Sequence, residues 1–168
     1  MHHEQATGTQ SGTGAPPKAP RLPPLWFIRS FWVGQRALYA VTGGHFGLRP
    51  AKGDKEGMFR LRTVGRRSGQ ARVAILAYFE DGPNLVTLAM NGWGEGEPAW
   101  WLNLQHLPEA TVDLRGGERS VRARAATGDE RDRLWARWQQ MGDADIDAYA
   151  TRRSTETAVV VLEPLPAV

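Results

Sequence analysis

Residues 57–89 read GMFRLRTV, GRRSGQ, ARVAILAYFE, DGPN, LVTLA. Three β-forming runs are separated only by short segments of turn chemistry. Strands joined so closely pair antiparallel, because a parallel crossover needs a dozen or more residues. The chain is thereby committed to a β-meander early in its folded part. The first run alternates Met58, Arg60 and Arg62 against Phe59, Leu61 and Thr63, the period of a strand with one buried face. The second run, 71–80, is longer and more apolar. Asp81-Gly82-Pro83 marks the next turn, and 85–89 is the third strand.

The rest of the chain adds to this sheet without a βαβ alternation, a Rossmann fingerprint or an internal repeat. PAWWLNLQHL (98–107) predicts a short helix, with Pro98 suited to its first position and Pro108 beyond its end. TVDL (111–114) and RSVRARAA (119–126) predict a hairpin around Gly116-Gly117, with Val121, Ala123 and Ala125 as an apolar face. TGDERDRLWARWQQMG (127–142) predicts a helix. Thr127 and Glu130 have capping-box spacing, and Leu134, Trp138 and Met141 form an apolar stripe with Trp135 beside it. Residues 145–153 add a short helical turn carrying Tyr149, and AVVVLEP (158–164) is a buried strand. About six strands, mostly antiparallel, predict a mainly β (α+β) fold: a small barrel or rolled sheet with helices covering its openings.

Residues 1–24 are rich in Gly, Thr, Gln and Pro and are expected to form a disordered tail, leaving 25–168 as one domain. LWFIRSFWVGQRALYAV (25–41) has helical spacing. Two readings suit it: a helix packed on the domain with its arginine heads reaching water, or an interfacial helix making peripheral membrane contact. Residues 45–57 read as loop.

Composition removes several classes of chemistry. The chain has no cysteine, so disulfides, Fe–S clusters and thiolate metal sites are excluded. His2 and His3 fall in the tail, and His45 and His106 lack metal-ligand spacing. Asp143, Asp145 and Asp147 fail the calcium-loop pattern. A formal charge of +3 in 168 residues allows a local anion site without demanding nucleic acid. No signal peptide and no run of about 18 apolar residues is visible, so the expected compartment is the cytosol.

Two constellations carry chemical interest. In GRRSGQAR (65–72), Arg66, Arg67 and Arg72 offer planar forks suited to phosphate, Ser68 offers a hydroxyl, and Gly69 lets the chain turn. The turn also exposes backbone N–H groups to an anion. A solvated hairpin with basic decoration explains the same residues. In AMNGWGEGEPAWW (89–101), glycines at a strand end form either a concave surface, where Trp93 or Trp100 stacks on a planar ring, or a mobile loop. No nucleophile elbow or HExxH motif occurs, so an enzyme of this composition needs a cofactor for its reactivity.

From about Leu38 to Pro164 the chain resembles the deazaflavin-dependent nitroreductase family. These are split β-barrel oxidoreductases of actinobacteria that use coenzyme F-420. The resemblance rests on the strand–GRRSG–x–x–R hairpin, the strand-end Asn91-Gly92 loop, the P-x-W helix start, the N-L…P element and the terminal VVVLEP strand. It implies hydride transfer from the reduced deazaflavin to a small conjugated acceptor: a quinone, an enone or a nitro compound. Arg66, Arg67, Ser68, Gly69 and Arg72 would hold the phosphate end. Val73, Ala74, Ile75 and Leu76 would run beside the ring, Ala89, Met90, Asn91 and Gly92 would line its other edge, and Trp100 would back the pocket. Met90, Trp93 and Tyr149 would face the acceptor, with Tyr149 closing over it as the catalytic side chain. Split barrels also pair as homodimers, and related ones use FMN, FAD or haem. An FMN-dependent oxidase and a non-catalytic carrier of a flavin, deazaflavin or hydrophobic ligand are therefore the alternatives. Three positions depart from the family pattern: Ile75 stands where a proline is common, Met90 where a serine often begins the loop, and Glu97 where a histidine precedes P-x-W. A hydroxyl at position 90 would polarise an acceptor oxygen; a thioether does so poorly.

Overall fold

A computed structural model describes residues 47–92, 94–141 and 145–166. The expected tail 1–24, the helix 25–41 and Trp93 lie outside the described residues.

The three predicted opening strands form a continuous antiparallel meander. Strand β1 is Gly57–Val64, β2 is Ala71–Asp81 and β3 is Asn84–Leu88. Helix α1 (Ala99–His106) follows, then β4 (Glu109–Leu114) and β5 (Gly117–Ala125). Helices α2 (Gly128–Gln140) and α3 (Ile146–Ala150) precede the last strand, β6 (Val159–Pro164). The strands close into a barrel in the order β1-β2-β3-β6-β5-β4, and every pairing is antiparallel. The fold is the mainly β split barrel expected from the sequence.

The alternation in β1 is what turns it into a wall. Phe59, Leu61 and Thr63 are buried, and their β2 partners Leu76, Ala74 and Arg72 share their side of the sheet. The interior is filled by Phe59, Leu61, Tyr78, Leu85, Val112, Val121, Val160 and Leu162. Phe59 and Tyr78 meet as tilted rings with centroids 5.2 Å apart. Helix α1 touches β1, β2 and β5, strands from different sides of the ring, so it sits across one opening. Its Trp100, Trp101 and Leu104 are buried in the interior cluster.

Helix α2 lies elsewhere than the sequence pattern alone suggests. It covers the outer wall, not an opening. The residues of β3 and β6 that alternate with the interior set (Val86, Leu88, Val159 and Val161) form a second apolar layer with Leu134, Trp138, Met141 and Ile146. Those strands are thus apolar on both faces, which explains their unbroken hydrophobic runs. Two smaller expectations change. Ala125 is exposed, and Ala126 is the residue buried, in the outer layer. Thr127 caps α2 with extended backbone but no side-chain cap bond, and the Glu130 carboxylate accepts from the Arg124 guanidinium at 2.6 and 2.8 Å.

Ion pairs tie α2 to the barrel rim. Arg133 donates to both oxygens of Asp81 at 2.9 and 2.8 Å, and these bonds hold the Asp81 carboxyl below its ordinary range. The bond from Arg124 lowers Glu130 in the same way. Both carboxyls ionise more readily folded than unfolded. Their stabilisation is therefore complete above the ordinary carboxylate range and is lost as pH falls. Urea midpoints followed by Trp fluorescence should drop on acidification from about pH 4.5 to 2.5. Asp81→Asn should lower the midpoint at neutral pH and flatten that acid dependence.

Candidate functional site

The register of the first hairpin fixes where GRRSGQAR lies. Pairing runs unbroken from Gly57↔Tyr78 to Val64↔Ala71, so residues 65–70 form the loop at its end. The Gly65 N–H donates to the Gln70 carbonyl at 2.8 Å, and the Ser68 and Gly69 N–H groups donate to the Gly65 carbonyl at 3.1 and 2.8 Å. Gly69 has φ +65°, a conformation side chains rarely adopt. Gly65 is required for space: a Cβ there would lie 2.9 Å from Ser68 Oγ and 3.2 Å from the Gln70 carbonyl oxygen.

This geometry changes one expectation. The Arg66 N–H donates to Asn103 Oδ1 at 3.1 Å, and the Gln70 N–H reaches Ser68 Oγ at 3.4 Å. Together with the bonds inside the loop, these occupy the amides of Gly65, Arg66, Ser68, Gly69 and Gln70. The backbone therefore offers an anion little, and the cationic side chains carry the attraction. Arg66, Arg67 and Arg72 make no salt bridge with any carboxylate among the described residues. Arg72 Nη2 donates to Ser68 Oγ at 3.3 Å, which turns its fork toward the loop.

The loop borders a cleft of about 790 Å³. Arg66, Arg67, Ser68 and Arg72 line one part of it; Val73, Ala74, Ile75 and Leu76 supply the β2 wall; Met90, Asn91, Gly92 and Trp100 also line it. Val73 is 46% exposed, an apolar side chain kept at the surface of a strand that borders this cleft. Of the residues singled out from the sequence, Gly69, Ala89 and Tyr149 do not line it. Gly69 is in the 65–70 loop, Ala89 is buried in the interior cluster, and Tyr149 lies on α3 with the Arg152 guanidinium 5.6 Å from its ring. Met90 is half-buried against the outer apolar layer while also lining the cleft.

Three residues were missed by sequence reasoning. Asn103 is buried on α1; besides holding Arg66 N–H, its Nδ2 donates to Thr63 Oγ1 at 3.2 Å. It thus docks the helix to the base of the cationic loop. Arg60 lines the cleft as well, with its guanidinium paired to Asp113 across β1 and β4. Arg153, in the stretch TRRS, has a side chain with 0% exposure. It donates to the Ala89 carbonyl at 2.9 Å, the Gly96 carbonyl at 3.1 Å and Thr157 Oγ1 at 2.7 Å. Glu97, 3.4 Å away, is its carboxylate partner, and the cost of burying a lone cation gives a reason for an acid at that position. Asp145 and Asp147 have structural work: Asp145 Oδ1 caps α3 by accepting from Ala148 N–H, and Asp147 accepts from Trp135 and Gln139. No group of metal-ligating side chains occurs among the described residues.

Residues 33–164 match the family described as F420H(2)-dependent quinone reductase. The chain belongs to this family. It is an oxidoreductase of the kind that uses coenzyme F-420, written F420H(2) when reduced. Over 111 residues it is 35% identical to Rv3178 of Mycobacterium tuberculosis, a protein named as an F420H(2)-dependent quinone reductase; the match covers 62% of this chain and 87% of that one. Among solved structures it is similar to a chain described as a domain-swapped dimer, with a TM-score of 0.60, 24% identity and coverage of 84% of this chain and all of the other. It is also similar to the F420-H2 dependent reductase FDR-A, with a TM-score of 0.54, 23% identity and coverage of 63% and 93%. Both likenesses speak to the barrel fold.

The cleft suits the coenzyme chemically, with unpaired cations at one part and an apolar strand wall beside them. Because Asn103 satisfies two groups at once, Asn103→Ala should leave the Arg66 N–H and the Thr63 hydroxyl short of a partner. A loss of about 1–3 kcal/mol in urea unfolding is expected.

Proposed function

We propose that this cleft binds the reduced deazaflavin with its phosphate end on Arg66, Arg67, Ser68 and Arg72, and places a quinone next to its ring at Met90. Val73–Leu76 and Trp100 would pack along the ring, and Met90–Gly92 would shape its other edge, with Ala89 buried beside them. Tyr149 lies outside the cleft lining, so a role for it would need the acceptor to reach beyond those walls. One observation carries this reading: three guanidinium groups without a carboxylate partner stand at one part of a cleft whose β2 wall, Val73–Leu76, is apolar. Such forks match phosphate geometry, and an apolar wall matches a planar ring.

The bound coenzyme supplies a hydride to the acceptor. The protein's contribution is orientation and exclusion of water: β2 and Trp100 hold a flat surface, and Met90 offers the acceptor polarizable apolar contact without a strong hydrogen-bond donor. That favours a quinone, already activated toward hydride, over acceptors that require a donor at position 90. The cytosol is the compartment this reading assumes. A homodimer belongs to it as well, in keeping with the solved relative described as a domain-swapped dimer. Among the described residues no helix is long and apolar enough to cross a membrane, and membrane contact through 25–41 is not part of the reading.

Arg67→Ala should weaken F-420 binding by about 1.5–3 kcal/mol, since a charge-assisted phosphate contact is lost. Fluorescence titration of F-420 measures this, and unchanged affinity counts against the cradle. FMN titrated in parallel should bind more weakly than F-420; a yellow protein on purification would favour an FMN-dependent oxidase. Tight F-420 binding without oxidation of the reduced coenzyme by any quinone would favour the non-catalytic carrier.

A further inference from the structure

We propose that Arg153 is a positioning residue for hydride transfer, acting through the cleft wall that contains Met90–Gly92. The inference rests on the proposed placement of the ring and acceptor. Arg153 itself does not border the cleft. Its guanidinium is fully buried and joins two separated points of one segment: the Ala89 carbonyl, where β3 ends, and the Gly96 carbonyl, just before α1. The chain between those points carries Met90, Asn91 and Gly92. A planar fork with fixed donor directions sets the separation of two carbonyls in a way a point charge on a flexible stem cannot.

The anchor on the other side is equally defined. Thr157 is 2% exposed, and its hydroxyl accepts from Arg153 at 2.7 Å. The next residue adds an exposed contact: Ser154 donates from its N–H and its hydroxyl to Glu95 at 3.1 and 2.8 Å. The Ala89 N–H donates to the Ala158 carbonyl at 2.9 Å. Residues 153–158 thus hold the segment at both ends, at Ala89 and at Glu95–Glu97. The same stretch follows directly on α3, so the segment holding the Met90 wall is continuous with the helix that carries Tyr149.

The test uses the full chain, F-420 and menadione. Thr157→Val removes the hydroxyl with little change of shape, Thr157→Ser keeps it, and Arg153→Lys keeps the charge without the fork. Coenzyme affinity is read by fluorescence titration, and hydride transfer by single-turnover oxidation of the reduced coenzyme. Displacing a reacting pair by a fraction of its contact distance costs orders of magnitude in rate. Thr157→Val and Arg153→Lys should therefore slow the single turnover by about tenfold or more, with Thr157→Ser near wild type. Coenzyme Kd should stay within about threefold in all three, because the phosphate grip lies elsewhere in the cleft. Rates within about twofold of wild type in folded Thr157→Val would overturn the proposal, as would a rate loss matched by an equal loss of coenzyme binding. Arg153→Lys adds to the test only where it folds. A folded wild-type chain that does not bind F-420 would instead overturn the proposed function.

Discussion

Closure of the sheet between β1 and β4 is the constraint on which the molecule depends. The meander of β1, β2 and β3 has two free edges, and each must find a partner far away in sequence. One edge pairs with the last strand, β6. The other pairs with β4, where Arg60 faces Asp113 and Arg62 faces Thr111. Both arginines lie within ion-pair distance of the buried Asp113 carboxylate, so the seam of the ring is sealed by charge as well as by backbone bonds. A ring without edges cannot slide in register. The loop at 65–70, the β2 wall and the start of α1 then stand in fixed relation, which is what a cleft for a large planar ligand requires.

The division of labour among arginines follows from the same logic. Those that build the protein are neutralised: Arg60 by Asp113, Arg124 by Glu130 and Glu163, Arg133 by Asp81, Arg153 by Glu97. Those on the cleft-side loop are not. A buried cation needs a partner to offset its desolvation, whereas an exposed one keeps its water until a ligand replaces it.

Much of the architecture was legible in the sequence. Period-two alternation in 57–64, turn chemistry at 80–84 and 115–118, and Pro98 and Pro108 around the helix all describe local preferences that the fold retains. The position of α2 was less legible, because an apolar stripe says that a helix packs but not on which surface. Double-sided strands such as β6 contain the missing information, though a continuous apolar run does not say which face meets which partner. The candidate cleft was partly visible for a similar reason. Arg67 and Arg72 sit within a few residues of each other, so spacing reveals them. Asn103 and Arg153 act on segments about 40 and 60 residues away in the chain, and nothing in NLQ or TRRS signals that reach. The backbone amides differ in the other direction: a glycine-rich turn suggests exposed N–H groups, yet its own carbonyls, the Ser68 hydroxyl and Asn103 take most of them.

That last point reaches past this one chain. Because the loop's shape is maintained by main-chain bonds, by Gly65 and by a helix side chain, its outward arginines carry almost none of the burden of keeping it folded. Form and charge are separable there. A lineage could exchange one set of side chains for another at 66, 67 and 72, and so move from one anionic tail to a longer, shorter or differently charged one, while the barrel beneath stayed the same.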